Sequence, residues 1–521
     1  PAALASSVVS GLTGGVHLML VSLANPEVDQ AGRRVSGPFG PAVPRWGIPD
    51  ENGDLFTRGA RPPHDPNCLC PEEPAARGGG ALGHMLKVVG RVRGTARITR
   101  HSTHLIAVAD QATSSATNLA LNILVAGIAA PEVFGAVGLA SALYLLETGV
   151  VRGAVADPYT VLSTESSVDQ RRAAVGTATA IGLGLAGVHI AAGLLVDGPL
   201  RSVLLTFGLV TPALVLQDVV RMMLYAHRQP LLAFESNLIW AVVQAALSGV
   251  ALAVGSPTGL VVAWGLGAGA SAVYCLRQLG CAPWPMRWMS WFRGRSQLAV
   301  SWATDHFAQQ GVAQVLVWMI GIVAGLEAVA SYRGAVVLTG PVTVMIAGLA
   351  RGVVLPASVR RARRDDASLE HFILLNVIPV FAVGAVLLLV PLLLLPQGVG
   401  ELLLAETWEG ARRILPLVIV ARVLNATTLG LVLGMRATAE HRLSLRLRLV
   451  SGAVTLGGAT TAAAWWGVTG GAAALALISL LFLPAWAWAF FRTMAARRSG
   501  TAPRITENEH DAEEDWPDQL A

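Results

Sequence analysis

The chain of 521 residues is 53% hydrophobic and only 14% charged, with a mean hydropathy of +0.56. Soluble domains carry about 25% charged residues, so a soluble globular protein and a disordered chain are both excluded, and four cysteines are too few for a disulfide scaffold. Apolar runs of about 20 residues recur along the chain, which makes it a polytopic membrane protein.

Residues 1–100 read as an appendage. Pro1 to Leu23 is apolar but diluted by Ser, Gly and Thr; a weak span, a targeting remnant and an unfolded leader all fit it. Residues 25–85 have the Pro-, Gly- and charge-rich composition of a linker. Cys68 and Cys70 form a lone C-x-C with no second pair at metal spacing, so no zinc site is expected.

From His104 onward the apolar runs predict twelve helices, near 104–128, 132–155, 173–196, 202–224, 231–254, 258–276, 298–323, 328–356, 371–395, 411–435, 445–466 and 471–492. The expected division is a six-helix lobe over 101–296, a second over 297–499, and an acidic tail over 500–521. That tail holds Glu507, Glu509, Asp511, Glu513, Glu514, Asp515 and Asp518 against Arg504. Arginines crowd one set of connections and leave Arg201, Arg412 and Arg413 on the other. By the positive-inside rule both ends of the bundle are cytoplasmic, as in a multi-pass bacterial plasma-membrane protein. The remaining basic surplus suits anionic head groups or an anionic substrate, although cytoplasmic loops carry such an excess anyway.

The helices repeat. Asp110 opens the first span and Asp305 the seventh, 195 residues later. Arg152-Gly153-Ala154-Val155 with Pro158 is matched by Arg351-Gly352-Val353-Val354 with Pro356, and Pro212 and Asp218 correspond to Pro416 and Arg422. Two parallel halves with a site between them are implied.

Ionisable groups inside spans cost about 2.5–3.5 kcal/mol each on insertion scales and ordinarily face a cavity or a partner. Asp110, Glu147, Asp218, Arg221 and Asp305 are candidates for ion coupling or for structural ion pairs. Asp218 and Arg221, three apart on one face, can neutralise each other. Arg152 and Arg351 lie near span ends, where snorkelling is the simpler reading. Arg333, two turns into the eighth span, reaches no interface easily. Amides add polar stripes: Asn118 and Asn122 on the first span and Gln310 and Gln314 on the seventh, each pair four apart. Such stripes line cavities, and they also serve as interhelical hydrogen bonds. Gly340-Pro341 is the expected hinge of the eighth span.

No phosphate loop, nucleophile elbow or zinc-protease motif occurs, so no enzyme, cofactor or nucleic-acid partner is expected. Asp110-Gln111, Asn118 and Ala126 to Phe134-Gly135, with Ala330-Ser331-Tyr332-Arg333-Gly334-Ala335 leading to Gly340-Pro341, resemble polysaccharide exporters and lipid-linked oligosaccharide flippases. These belong to the multidrug/oligosaccharidyl-lipid/polysaccharide exporter superfamily. The resemblance implies an all-α fold of two six-helix lobes working by alternating access on a lipid-linked saccharide. It assigns Arg333 to the pyrophosphate; the amide stripes of Asn118, Asn122, Gln310 and Gln314 are the further substrate-binding candidates. It implies membrane lipids and a polysaccharide polymerase or glycosyltransferases as partners. A cation-coupled drug exporter of the same superfamily and a non-transporting membrane scaffold are the alternatives.

Overall fold

The computed structural model describes residues 100–162, 167–285, 288–293, 295–438 and 441–499. The expected appendage with Cys68 and Cys70, and the acidic tail, lie outside them. In chain order the long helices are α1 (Arg100–Ile128), α2 (Pro131–Val151), α3 (Val168–Leu195), α4 (Pro199–Ala226), α5 (Pro230–Val254) and α6 (Pro257–Leu279). The second series is α7 (Ser296–Ala324), α8 (Leu326–Leu349), α9 (Asp366–Phe372 continued by Ile378–Leu389), α10 (Trp408–Ala437) and α11 (His441–Arg498). Non-helical backbone at Trp466 and Gly467 breaks α11 into two arms, at the gap expected between two spans.

Among the described residues, nine helices are long and apolar enough to cross a membrane, or ten if the arms of α7, bent by 51°, form one span. The 29-residue α1 is not one of them, because Asp110, Gln111, Asn118, Asn122 and several hydroxyls dilute it. Two short helices, Trp288–Phe292 and Gln397–Leu404, correspond to no predicted span.

Local chemistry sets the helix ends. Proline stands in the first turn of α2, α4, α5 and α6, where its missing N–H costs nothing. The Ser256 hydroxyl accepts the Gly259 N–H at the start of α6, and Asp365 accepts the N–H groups of Ala367 and Ser368 at the start of α9. Gly255 and Gly280 close α5 and α6 in the left-handed conformation, which a side chain would disfavour.

Three π turns interrupt the helices: Arg152–Ala156 after α2, Ala350–Val354 after α8 and Ile373–Val377 within α9. Each is followed, two residues on, by a proline (Pro158, Pro356, Pro379). The ring cannot donate to the preceding turn and crowds its carbonyl, so the wider turn relieves both problems. At the first of them the Trp291 indole N–H donates to the Ala154 carbonyl at 3.0 Å. The expected hinge differs: α8 runs unbroken through Gly340-Pro341, and its irregularity comes at the π turn beginning at Ala350.

Packing follows the same order in both halves. The pairings α1–α5, α2–α4 and α3–α4 recur as α7–α11, α8–α10 and α9–α10. Helices α2 and α4 are central and mostly buried, whereas α3 and α5 face outward. Hydrocarbon gives little drive to helix association, so close contact and hydrogen bonds hold the bundle. Close contact marks α2 and the π turn that follows it. A Cβ at Gly135 would lie 2.0 Å from the Leu326 carbonyl oxygen, and one at Gly153 would lie 2.5 Å from Trp302 and Ala303 backbone. Leu139 and Ala142 of this face share a buried core with Leu316, Val317 and Ile320 of α7, Val329 of α8, and Ala459 and Ala463 of α11. Helix α2 therefore joins the two halves.

Candidate functional site

The ionisable residues of α1, α2 and α4 converge. Asp110, 1% exposed, accepts from Arg221 Nη1, Tyr225 Oη and Asn237 Nδ2, each at 2.6 Å. Asp218 is held bidentately by Arg152, through Nε at 2.6 Å and Nη2 at 2.7 Å. Arg221 Nη2 stands 3.7 Å from Asp218. The result is a chain of alternating charge, Asp110–Arg221–Asp218–Arg152, tying α1, α4 and the end of α2 together. This corrects the snorkelling expected of Arg152: its guanidinium turns inward because a fork of donors faces a carboxylate. It also ranks the local Asp218–Arg221 contact below the two cross-helix bonds.

A second zipper joins the parallel helices α1 and α5. Asn237 bonds Asp110, and seven residues further along both helices Gln244 Nε2 donates to the Thr117 carbonyl at 3.0 Å. Gln217 bridges to Asn237 and Ser271 at 3.3 and 3.4 Å.

Beside the charge chain lies an open cavity of about 90 Å³. Asn118, Thr148, Arg152, Asp218, Arg221 and Gln310 contribute to its wall, so α1, α2, α4 and α7 all reach it. Of the predicted residues, Asn118, Gln310, Asp218 and Arg221 meet here. The Asn118 and Asn122 amides each donate to the carbonyl four residues back on α1, and Asn122 does not line this cavity. Gln314, one turn from Gln310, keeps a buried Oε1 without a hydrogen-bond partner.

The other predicted charges lie apart. Glu147 Oε2 meets His189 Nε2 of α3 at 3.0 Å, in a buried pair whose other polar atoms, Glu147 Oε1 and His189 Nδ1, have no hydrogen bond. Asp305, at the position matching Asp110, is exposed on α7. The next residue, His306, places its Nε2 2.6 Å from Asp157 Oδ2 and so links α7 to the helical extension of α2.

Arg333 is buried on α8, 8% exposed. Its Nε has no hydrogen-bond partner, and among the described residues no carboxylate pairs with it. The stem crosses α2 at Gly138, where an added Cβ would stand 2.8 Å from Arg333 Cγ. It does not line the cavity beside Asp218. Arg422, half-buried on α10, stands where the first half has Asp218, so an arginine replaces there the carboxylate that Arg152 holds.

Sequence reasoning missed His189 and the ion pair of His306 with Asp157. It also missed the small face of α2, although Gly135, Gly138, Ala142, Gly149 and Gly153 fall at intervals of three, four and seven that a helical count would have found.

No family profile matches the sequence, and no curated protein matches it. Solved structures do. An inward-facing multidrug resistance MATE family transporter of the MOP superfamily superposes with a TM-score of 0.57 at 16% identity, covering 72% of this chain and 95% of that one. The lipid II flippase MurJ in an inward closed conformation gives 0.57 at 10% identity, covering 74% and 87%. The chain has the fold of MOP-superfamily transporters. A MOP-superfamily transporter from Pyrococcus furiosus, described as having a binding pocket of reversed polarity, gives 0.55 at 16% identity and covers 75% and 94%.

Proposed function

We propose that this protein is an alternating-access transporter that carries an anionic, lipid-linked saccharide across the membrane. The observation that carries the reading is where charge is left unmatched. The buried acids Asp110, Glu147 and Asp218 each have an internal partner, whereas buried Arg333 has no carboxylate among the described residues. A guanidinium withdrawn from water needs an anion, and its fork of donors matches phosphate oxygens better than an ammonium does. The α2–α7–α8 seam supports reading 101–296 and 297–499 as two six-helix lobes across which access would alternate. Asn118 and Gln310, facing one cavity from opposite halves, supply the amides that sugar hydroxyls require.

The test uses protein reconstituted in vesicles, with a pyrophosphate-linked saccharide lipid and a lipophilic cation dye offered separately. Saccharide lipid reaching the far leaflet, with loss in Arg333→Ala at normal protein abundance, is the expected result. Movement of the dye alone overturns the proposal. The second reading, a cation-coupled multidrug exporter, draws on Glu147 and His189, each with a buried polar atom that forms no hydrogen bond. It requires dye transport that is lost in Glu147→Gln.

A further inference from the structure

The helix Leu355–Arg364 continues α8 beyond its π turn and ends Arg360-Arg361-Ala362-Arg363-Arg364. Arg361 spreads over the Phe372 ring, 3.9 Å from its centroid. Arg360, Arg363 and Arg364 are exposed. The nearby carboxylates are engaged elsewhere: Asp365 caps α9, Asp366 takes Arg497 at 2.7 Å, and Glu370 takes Arg498 at 3.3 Å. Four positive charges within five residues therefore have no acid partner among the described residues.

The same contacts fix where α11 ends. Arg497 is 3% exposed, and its Nη2 donates to the Ala362 carbonyl at 3.1 Å, in the middle of the arginine cluster. The chain thus leaves α11 beside that cluster and runs directly into residues 500–521, with seven acids against one arginine. Extended backbone from Gly500 to Glu507 reaches about 25 Å, whereas the ten-residue arginine helix is about 15 Å long. Every acid from Glu507 onward can therefore reach every exposed arginine, at the high local concentration that a short tether imposes.

We propose that the acidic segment Glu507–Asp518 docks on Arg360, Arg363 and Arg364, as an electrostatic clasp between the end of α11 and the end of α8. It neutralises a basic cluster that would otherwise recruit anionic head groups. The two elements it joins both belong to the second half, so the clasp would stiffen that half independently of what the protein carries.

The sequence offers a clean chemical test, because Lys87 is the only lysine. Arg363→Lys keeps the charge and introduces an amine that a carbodiimide joins to any carboxylate in contact. The full chain is treated in vesicles of zwitterionic lipid and its crosslinked peptides are identified by mass spectrometry. The expected product joins position 363 to an acid between 507 and 518. It should fall several-fold when salt is raised from about 50 to about 500 mM, as screening demands, and vanish when the seven tail acids are changed to amides. Coupling of position 363 only to Asp365, Asp366 or Glu370, or no coupling at all in folded protein, overturns the proposal. Arg360→Lys provides the same readout if the first variant fails to fold.

Discussion

Asp110→Asn keeps the shape of the side chain and removes the charge on which Arg221 depends. Arg221 is 8% exposed, and the substitution leaves it only Asp218, at 3.7 Å and already held by Arg152. The Asn amide would also present a donor to Tyr225 or Asn237, both of which donate to Asp110. Removing one partner of a buried ion pair costs about 3–5 kcal/mol. For a helical body of this size, about 1–2 °C of Tm follows per kcal/mol, so Tm should fall by about 3–10 °C. Buried Cys275 and Cys281 report the transition through a thiol-reactive dye on heating in detergent, with Cys68 and Cys70 changed to Ser. Arg221→Met added to Asp110→Asn should recover about 2 kcal/mol, because no unpaired cation remains. Strictly additive losses in the double variant would refute the ion-pair account.

Other expectations follow from single contacts. Gly153→Val forces α2 away from the α7 backbone at Trp302 and Ala303; crosslinking of Asp157→Cys with His306→Cys should drop several-fold. Gly187→Ala, which has open space, should leave that crosslink intact. Arg333→Lys should fold at normal abundance yet lose most saccharide-lipid translocation, and Arg333→Ala nearly all; normal transport by the Ala variant removes Arg333 from the mechanism. Burial, helped by Arg171, lowers the affinity of His227 for a proton, while its Nε2 meets the Tyr159 hydroxyl at 2.7 Å. The unfolded chain thus binds the proton more readily than the folded one. This contribution to stability is complete above the ordinary histidine value of about 6.5 and is lost as pH falls through the lower folded value. His227→Gln should flatten that acid limb in a melting-temperature series, and an unchanged limb counts against the assignment.

The spans were legible because hydrocarbon thickness dictates run length, and the runs are long. Five residues such as Trp288–Phe292 carry no period, so the short helices were not legible. The matched Arg-Gly-x-Val…Pro segments were visible as a repeat, but only the geometry shows both of them as π turns set by the proline that follows. Charges were legible as costly residues; their partners were not. Helical spacing pairs Asp218 with Arg221, three residues away, because proximity along one helix is all that sequence offers. Its main partner, Arg152, is separated from it by 66 residues, and helix packing alone brings the two together. Arg333 stands out in sequence as a charge far from either interface, yet its path across Gly138 depends on a glycine in another helix.

The order of partners along the chain has a consequence for synthesis. Asp110 emerges from the ribosome 111 residues before Arg221, and Arg152 emerges 66 residues before Asp218. At about 5–20 residues per second, each leading charge waits several seconds without its counterion. Isolated in hydrocarbon it would cost about 2.5–3.5 kcal/mol on insertion scales. Helices α1 and α2 therefore gain from being retained beside the insertion machinery until α4 arrives, and the first four helices should partition into lipid as one group.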